Sequence, residues 1–313
     1  MARMLRYQSF RPVHFCLFSV AAIALCAAGG CSSLSRNRID EDVVSARQLS
    51  LRGVDAAQRG QLTEAEALFG NALEMCPLDE RIQYHYAETL WELGRRDEAV
   101  SHMERAVRLS GGKAELLVRL GDMYLARGEL ERAANQAEAA IRANRQLASA
   151  WALRGDVLSQ AGDHRECLAS YHRAVSYQEH YPRVQLAIAH TYQQQGRHAR
   201  ALATLRSLAD GYPVDEVPPD VLFLQGIALK ELGRHEAAVE TLTEATKQAK
   251  PTSELLYHLA ECQMLAGDPI NARLTIESAL ANAPGHGPSQ ALHEHLRSIQ
   301  RRLANPDVDF RQR

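Results

Sequence analysis

The chain repeats itself. Gly60, Gly94, Gly128, Gly162, Gly196, Gly233 and Gly267 recur at one phase. Their spacing is 34 residues, broken once by three extra residues at "DEVPPD". Self-similarity at a fixed period of this length marks stacked repeats, and missing it would misread the whole fold. Seven repeats therefore begin near residues 46, 80, 114, 148, 182, 219 and 253.

Other columns keep the same register. The eighth position holds Gly53, Ala87, Gly121, Gly155, Ala189, Gly226 and Ala260; the twentieth holds Ala65, Ala99, Ala133, Cys167, Ala201, Ala238 and Ala272. The twenty-seventh holds Ala72, Ala106, Ala140, Ala174, Leu208, Ala245 and Ala279. Small residues at fixed helical phases let backbones approach closely. Glycine at the fifteenth position suits the left-handed residue that ends a helix. Each repeat thus reads as two antiparallel helices, with larger residues such as Phe69, Met103, Tyr171, Leu205 and Ile276 filling the space between. One such pair cannot bury its apolar face alone, so stacking makes the core.

Over about residues 46–286 these columns resemble the tetratricopeptide repeat family. "WALRGDVL" from Trp151, followed by Tyr171 and Ala174, is the fullest match, and Leu120, Gly121 and Tyr124 supply the same motif one repeat earlier. Pro77, Pro213 and Pro284 fill the terminal proline column. The resemblance implies an all-α, α-solenoid superhelix of about seven helix-turn-helix repeats, over 46–79, 80–113, 114–147, 148–181, 182–218, 219–252 and 253–286. Residues 287–305 are expected to form a capping helix, with Leu292, Leu296, Ile299 and Leu303 on its apolar stripe. Residues 306–313 are expected to be a frayed tail.

The N-terminal segment is of another kind. Arg3, Arg6 and Arg11 precede the apolar run "FCLFSVAAIALCAA" at 15–28, and a polar stretch follows Cys31. Basic residues, a short apolar run and small residues make a secretory signal. The run is shorter than the roughly 20 residues a spanning helix needs. Ala28-Gly29-Gly30-Cys31 resembles the processing site of bacterial lipoproteins, with Ala28 where that family usually has Leu. The resemblance implies removal of residues 1–30, a lipid on Cys31, and a polar tether over 31–45. An uncleaved anchor and plain secretion are the alternatives. Anchoring implies a bacterial cell-envelope location, facing the periplasm or exterior.

Chemistry is conspicuous by its missing motifs. "SGGKAEL" has no spaced glycine before Lys113 and no Ser or Thr after it, so it is no phosphate loop. "HEHL" lacks the second histidine of a zinc-protease helix. Cys76, Cys167 and Cys262 are isolated, without the close pairs of a zinc site. His164, His198 and His235 share one column, but successive repeats stand too far apart for them to converge on one ion. The column instead marks the start of the second helix, because Pro269 shares it and Asp163 and Asp268 precede it as N-caps. A net charge of −2 gives no field for nucleic acid. The chain is expected to be non-catalytic, with no cofactor, metal or nucleic acid.

Protein or peptide segments remain as partners. The family resemblance implies that first helices line a concave groove. Its ligand-facing positions carry over to Arg81, Tyr84, Glu88, Trp91, Asp122, Asp156, His190, Phe223, Tyr257 and Glu261. Glu88, Asp122 and Asp156 repeat at the ninth position, suggesting a groove for a segment bearing Lys or Arg, with Tyr84 and Trp91 as aromatic anchors. The alternative is a solvated groove without preference of sign. The functional expectation is a membrane-anchored scaffold supporting a cell-envelope complex; the alternative is a soluble peptide-binding adaptor or regulator of an enzyme.

Overall fold

The computed structural model describes residues 41–213, 216–248 and 250–304. Expectations for residues 1–40, including Cys31, and for the tail at 306–313 lie outside the described residues. Among the described residues the regular elements are helices, and no strand occurs. Helix α1 covers 41–58. It is followed by α2 (Leu62–Met75), α3 (Glu80–Glu92), α4 (Arg96–Leu109), α5 (Ala114–Ala126), α6 (Leu130–Ala143), α7 (Ala148–Gln160) and α8 (His164–Tyr177). Then come α9 (Pro182–Gln194), α10 (His198–Ala209), α11 (Pro219–Glu231), α12 (His235–Gln248), α13 (Ser253–Leu265), α14 (Pro269–Asn282) and α15 (Gly287–Ala304). The fold is an α-solenoid of helix pairs. It divides into two compact units at Leu116 and Leu117.

The glycine phase sets the helix ends. Each of the seven glycines has φ between 68° and 88°, the left-handed region that an L side chain enters only at a cost. The first helices α3, α5, α7, α9, α11 and α13 begin at the repeat starts read from the sequence. His164, His198, His235 and Pro269 each open a second helix. Asp163 accepts from the Glu166 N–H at 3.1 Å, and Asp268 from the Asn271 N–H at 3.1 Å. One boundary is corrected. Residues 41–45, expected in the tether, are already helical.

In the unit up to Leu116, Ala46, Ala56, Ala65, Phe69, Ala72 and Ile82 form a buried cluster from α1, α2 and α3. A Cβ on Gly53 would lie 2.8 Å from Phe69 Cε1, so glycine there is what admits the ring. Burial first, then the carboxylates of Asp79 and Asp42, push the Cys76 thiol up. The first described turn of α1 therefore lies beside the end of α2.

In the unit from Leu117, the buried core runs from Ala152 through Cys262 and continues beneath the cap. Gly155 and Gly226 admit Tyr171 and Leu242, which a Cβ at either glycine would overlap. Repeat 3 has the small Ala137 at the filler position, and Leu153 of α7, the first helix of the next repeat, packs against Gly121 instead. Cys167 is fully buried, with its Sγ 3.9 Å from Thr191 Oγ1. Leu292 and Leu296 of α15 join Leu256, Ala260, Ile276 and Ala279. Arg297 and Glu294 face solvent. The side chains of Ile299 and Leu303 lie outside the described residues.

Candidate partner-binding site

First helices of successive repeats meet: α9 packs on α11, and α11 on α13. That arrangement lays their exposed stripes side by side. A pocket of about 410 Å³ opens across three of them, between Ser159 of α7, Leu186 and His190 of α9, and Asp220 and Phe223 of α11, with Tyr171 of α8 at its floor. It brings together two of the expected residues, His190 and Phe223. His190 is exposed and Phe223 half-buried, so an apolar wall stands beside a polar rim. Leu186 and Asp220 were not among the expected residues. They occupy the fifth and second positions of their repeats, so the stripe that gave the others would have given these too.

Asp156 has a different role from the one its spacing suggests. Its Oδ1 accepts from the Tyr171 hydroxyl at 2.7 Å, and its Oδ2 from Arg183 Nη1 at 2.7 Å. Its side chain is 17% exposed. Burial, then the adjacent Asp156 charge and its hydrogen bond, hold the Tyr171 hydroxyl far above the ordinary phenol range. Asp156 is thus an internal counter-charge linking repeats 4 and 5, not an open acid. Glu88 and Asp122 are half-buried and also engaged in interactions.

Farther along the same unit, Lys230 Nζ donates to Glu261 at 2.8 Å and lies 3.3 Å from Glu231. Burial opposes the Lys230 charge, but hydrogen bonding to Glu261 prevails and raises its pKa. His258 is held below its ordinary value by burial and by Lys230, against the pull of Glu261. Phe223 and Tyr257 flank it, with ring centroids 5.8 Å and 4.9 Å away. Tyr257 and Glu261 are therefore parts of one aromatic and ionic cluster.

In the first unit, Arg81, Tyr84, Glu88 and Trp91 lie along α3. Arg81 is exposed, and the other three are half-buried. Tyr84 meets His85 edge-on at 5.0 Å. The Arg96 guanidinium lies 5.4 Å from the Trp91 ring centroid, so the chain's own cation stacks on that anchor. Among the described residues no group of three His, Cys, Asp or Glu side chains could hold a metal ion.

Family models for the tetratricopeptide repeat match residues 51–114 and 223–286, and residues 90–157 and 158–217. The chain belongs to the tetratricopeptide repeat family. A tetratricopeptide repeat protein from Parabacteroides merdae has a similar fold, at a TM-score of 0.60 and 17% identity, covering 80% of this chain and 98% of that one. The C-terminal part of a repeat protein from Cytophaga hutchinsonii aligns at 0.59 and 13% identity, covering 77% and 98%. Pseudomonas aeruginosa pilF aligns at 0.52 and 12% identity, covering 82% and 99%. These likenesses concern fold. The inactive TPR repeat-containing thioredoxin TTL3 of Arabidopsis thaliana is 31% identical over 105 residues. That match covers 34% of this chain and only 15% of the relative.

Proposed function

We propose that this tetratricopeptide protein is a non-catalytic scaffold, held at a membrane of the bacterial cell envelope through its N-terminal segment, that captures extended segments of protein partners. The pocket between His190 and Phe223 is the observation that carries the binding part. It is open and apolar-walled, and it lies on adjacent first helices of a repeat family suited to protein interaction. Because Asp156 and Glu261 are already paired, the reading favours a partner segment that inserts an apolar or aromatic side chain beside Leu186 and Phe223. A cation on that segment would meet Asp220 at the rim. The anchoring part is supported by the apolar run at 15–28 and by Cys31.

A photo-crosslinking residue placed at Phe223 should capture a discrete partner from intact cells, while one at the exposed Arg206 of α10 should not. Equal capture at both positions would reject the groove. Cys31→Ala should release the protein from the membrane fraction. Unchanged fractionation would reject lipid anchoring and leave groove binding to be judged by the crosslinks.

A further inference from the structure

The unit up to Leu116 has two unlike edges. One carries the first described turn of α1, the start of α3 and the ends of α2 and α4, and an ion pair between Glu80 and Lys113 ties it together. The other carries the turn between α3 and α4, where Arg95 pairs with Glu66. On the first edge Val43, Val44, Met75, Leu78 and Leu109 are exposed, Leu78 to 77%. Among the described residues the second edge, at 58–61 and 93–95, exposes no large apolar side chain. Openings of about 470 and 570 Å³ flank Leu78 and Leu109, and both side chains line each of them.

Leu78, in the loop after α2, and Leu109, at the end of α4, line the same two openings, and contiguous exposed apolar surface of this kind marks an interaction site. Charge does not select a strongly acidic or basic partner, since Glu80 pairs with Lys113 and the two openings are lined by Asp79, Arg81 and Arg108 together. The course of the chain does select. The first described turn of α1 lies on this edge, and residue 41 is the tenth residue after Cys31. Fully extended, ten residues span at most about 36 Å. A membrane holding the N-terminal segment would thus lie within reach of this edge. Arginines such as Arg81 and Arg108 can lay their stems along apolar surface and keep their heads among polar groups.

We propose that this edge is a membrane-contact surface, with Val43, Val44, Met75, Leu78 and Leu109 seated in the headgroup region of the phospholipid bilayer. The proposal rests on the anchored reading above. It is tested with the full chain reconstituted into phosphatidylethanolamine–phosphatidylglycerol vesicles, with and without brominated acyl chains. Leu78→Trp adds an emitter at the edge, and Gln61→Trp adds one at the opposite edge. Wild-type emission from Trp91 and Trp151 is subtracted, and circular dichroism checks the fold. Brominated lipid should remove most of the emission added by Leu78→Trp and little of that added by Gln61→Trp. Unquenched Leu78→Trp emission in a chain that floats with the vesicles overturns the edge and leaves the anchor intact. A chain that does not float overturns the anchored reading, and the proposal with it. A lipid-free blue shift accompanied by doubling of the sedimenting mass would assign the edge to a second copy, which also overturns it.

Discussion

Replacing Gly155 by alanine sets two effects against each other. Gly155 lies inside α7, where alanine is favoured over glycine by about 0.8–1 kcal/mol. But a Cβ there would overlap the Tyr171 ring, with even the far Cζ at only 3.0 Å. Ordinary contact needs about 3.5–4.0 Å, so the ring must retreat by roughly 1 Å. Overpacking of this kind costs about 1–3 kcal/mol. The retreat also pulls the Tyr171 hydroxyl from Asp156, now 2.7 Å away. A hydrogen bond to a charged group contributes about 1.5–3 kcal/mol. The clash wins, and Gly155→Ala should destabilise the protein by about 2–5 kcal/mol. Gly70 is the matched control, because it lies inside α2 and a Cβ there meets nothing within 4 Å. Gly70→Ala should gain about 0.5–1 kcal/mol. Urea unfolding followed by helical circular dichroism gives the midpoints. Amide exchange should place the Gly155→Ala loss in α7, α8 and α9, since repeat stability is a sum of local terms. A Gly155→Ala protein as stable as wild type, beside a stabilised Gly70→Ala, would refute the reasoning.

Three further outcomes are expected. Burial pushes the Cys262 thiol from its ordinary 9.0 up to about 11, so the unfolded chain ionises first; stability should fall by roughly 2–3 kcal/mol between about pH 9 and 11, and a Cys262→Ala protein with the same slope would contradict this. His85, His102, His172 and His258 are all held below their ordinary 6.5, chiefly by burial; the unfolded chain therefore takes up protons first, and thermal stability should drop as pH falls below 6.5, with a flat profile counting against it. Phe223→Ala should weaken capture of the partner segment at least about tenfold, the usual scale for an aromatic anchor, with unchanged circular dichroism; equal affinity by fluorescence titration would remove the pocket from the binding surface.

The periodic parts of the fold were legible because each repeat states them again. Gly162 or Ala201 alone says little, but seven copies in register fix helix ends and the small-residue contacts. The helicity of residues 41–45 was not legible, because no preceding repeat supplies a register and these residues show no apolar period. The site was legible as a stripe and not as a chemistry. Asp156 looked like one member of an acid series, yet its partners, Tyr171 and Arg183, lie 15 and 27 residues onward. The repeat pattern gives Tyr171 a motif position and a space to fill, and says nothing of a hydroxyl that reaches past the core to a carboxylate. Such pairings depend on side-chain reach between neighbouring helices, which periodicity does not encode.

The match between glycine and filler has a consequence for assembly. Gly53 receives a Phe69 ring, Gly155 a Tyr171 ring, and Gly226 the branched Leu242, whereas Gly121 is met by Leu153 from the first helix of the next repeat. Helices that share one backbone plan are therefore cut to different sizes where they touch. A second helix that docked on the wrong first helix would leave a void or force an overlap, and either error costs a few kcal/mol. Seven near-copies of one motif invite mispairing during folding and between chains. The alternation of hollow and plug works against it as a size code, telling each helix which neighbour is its own.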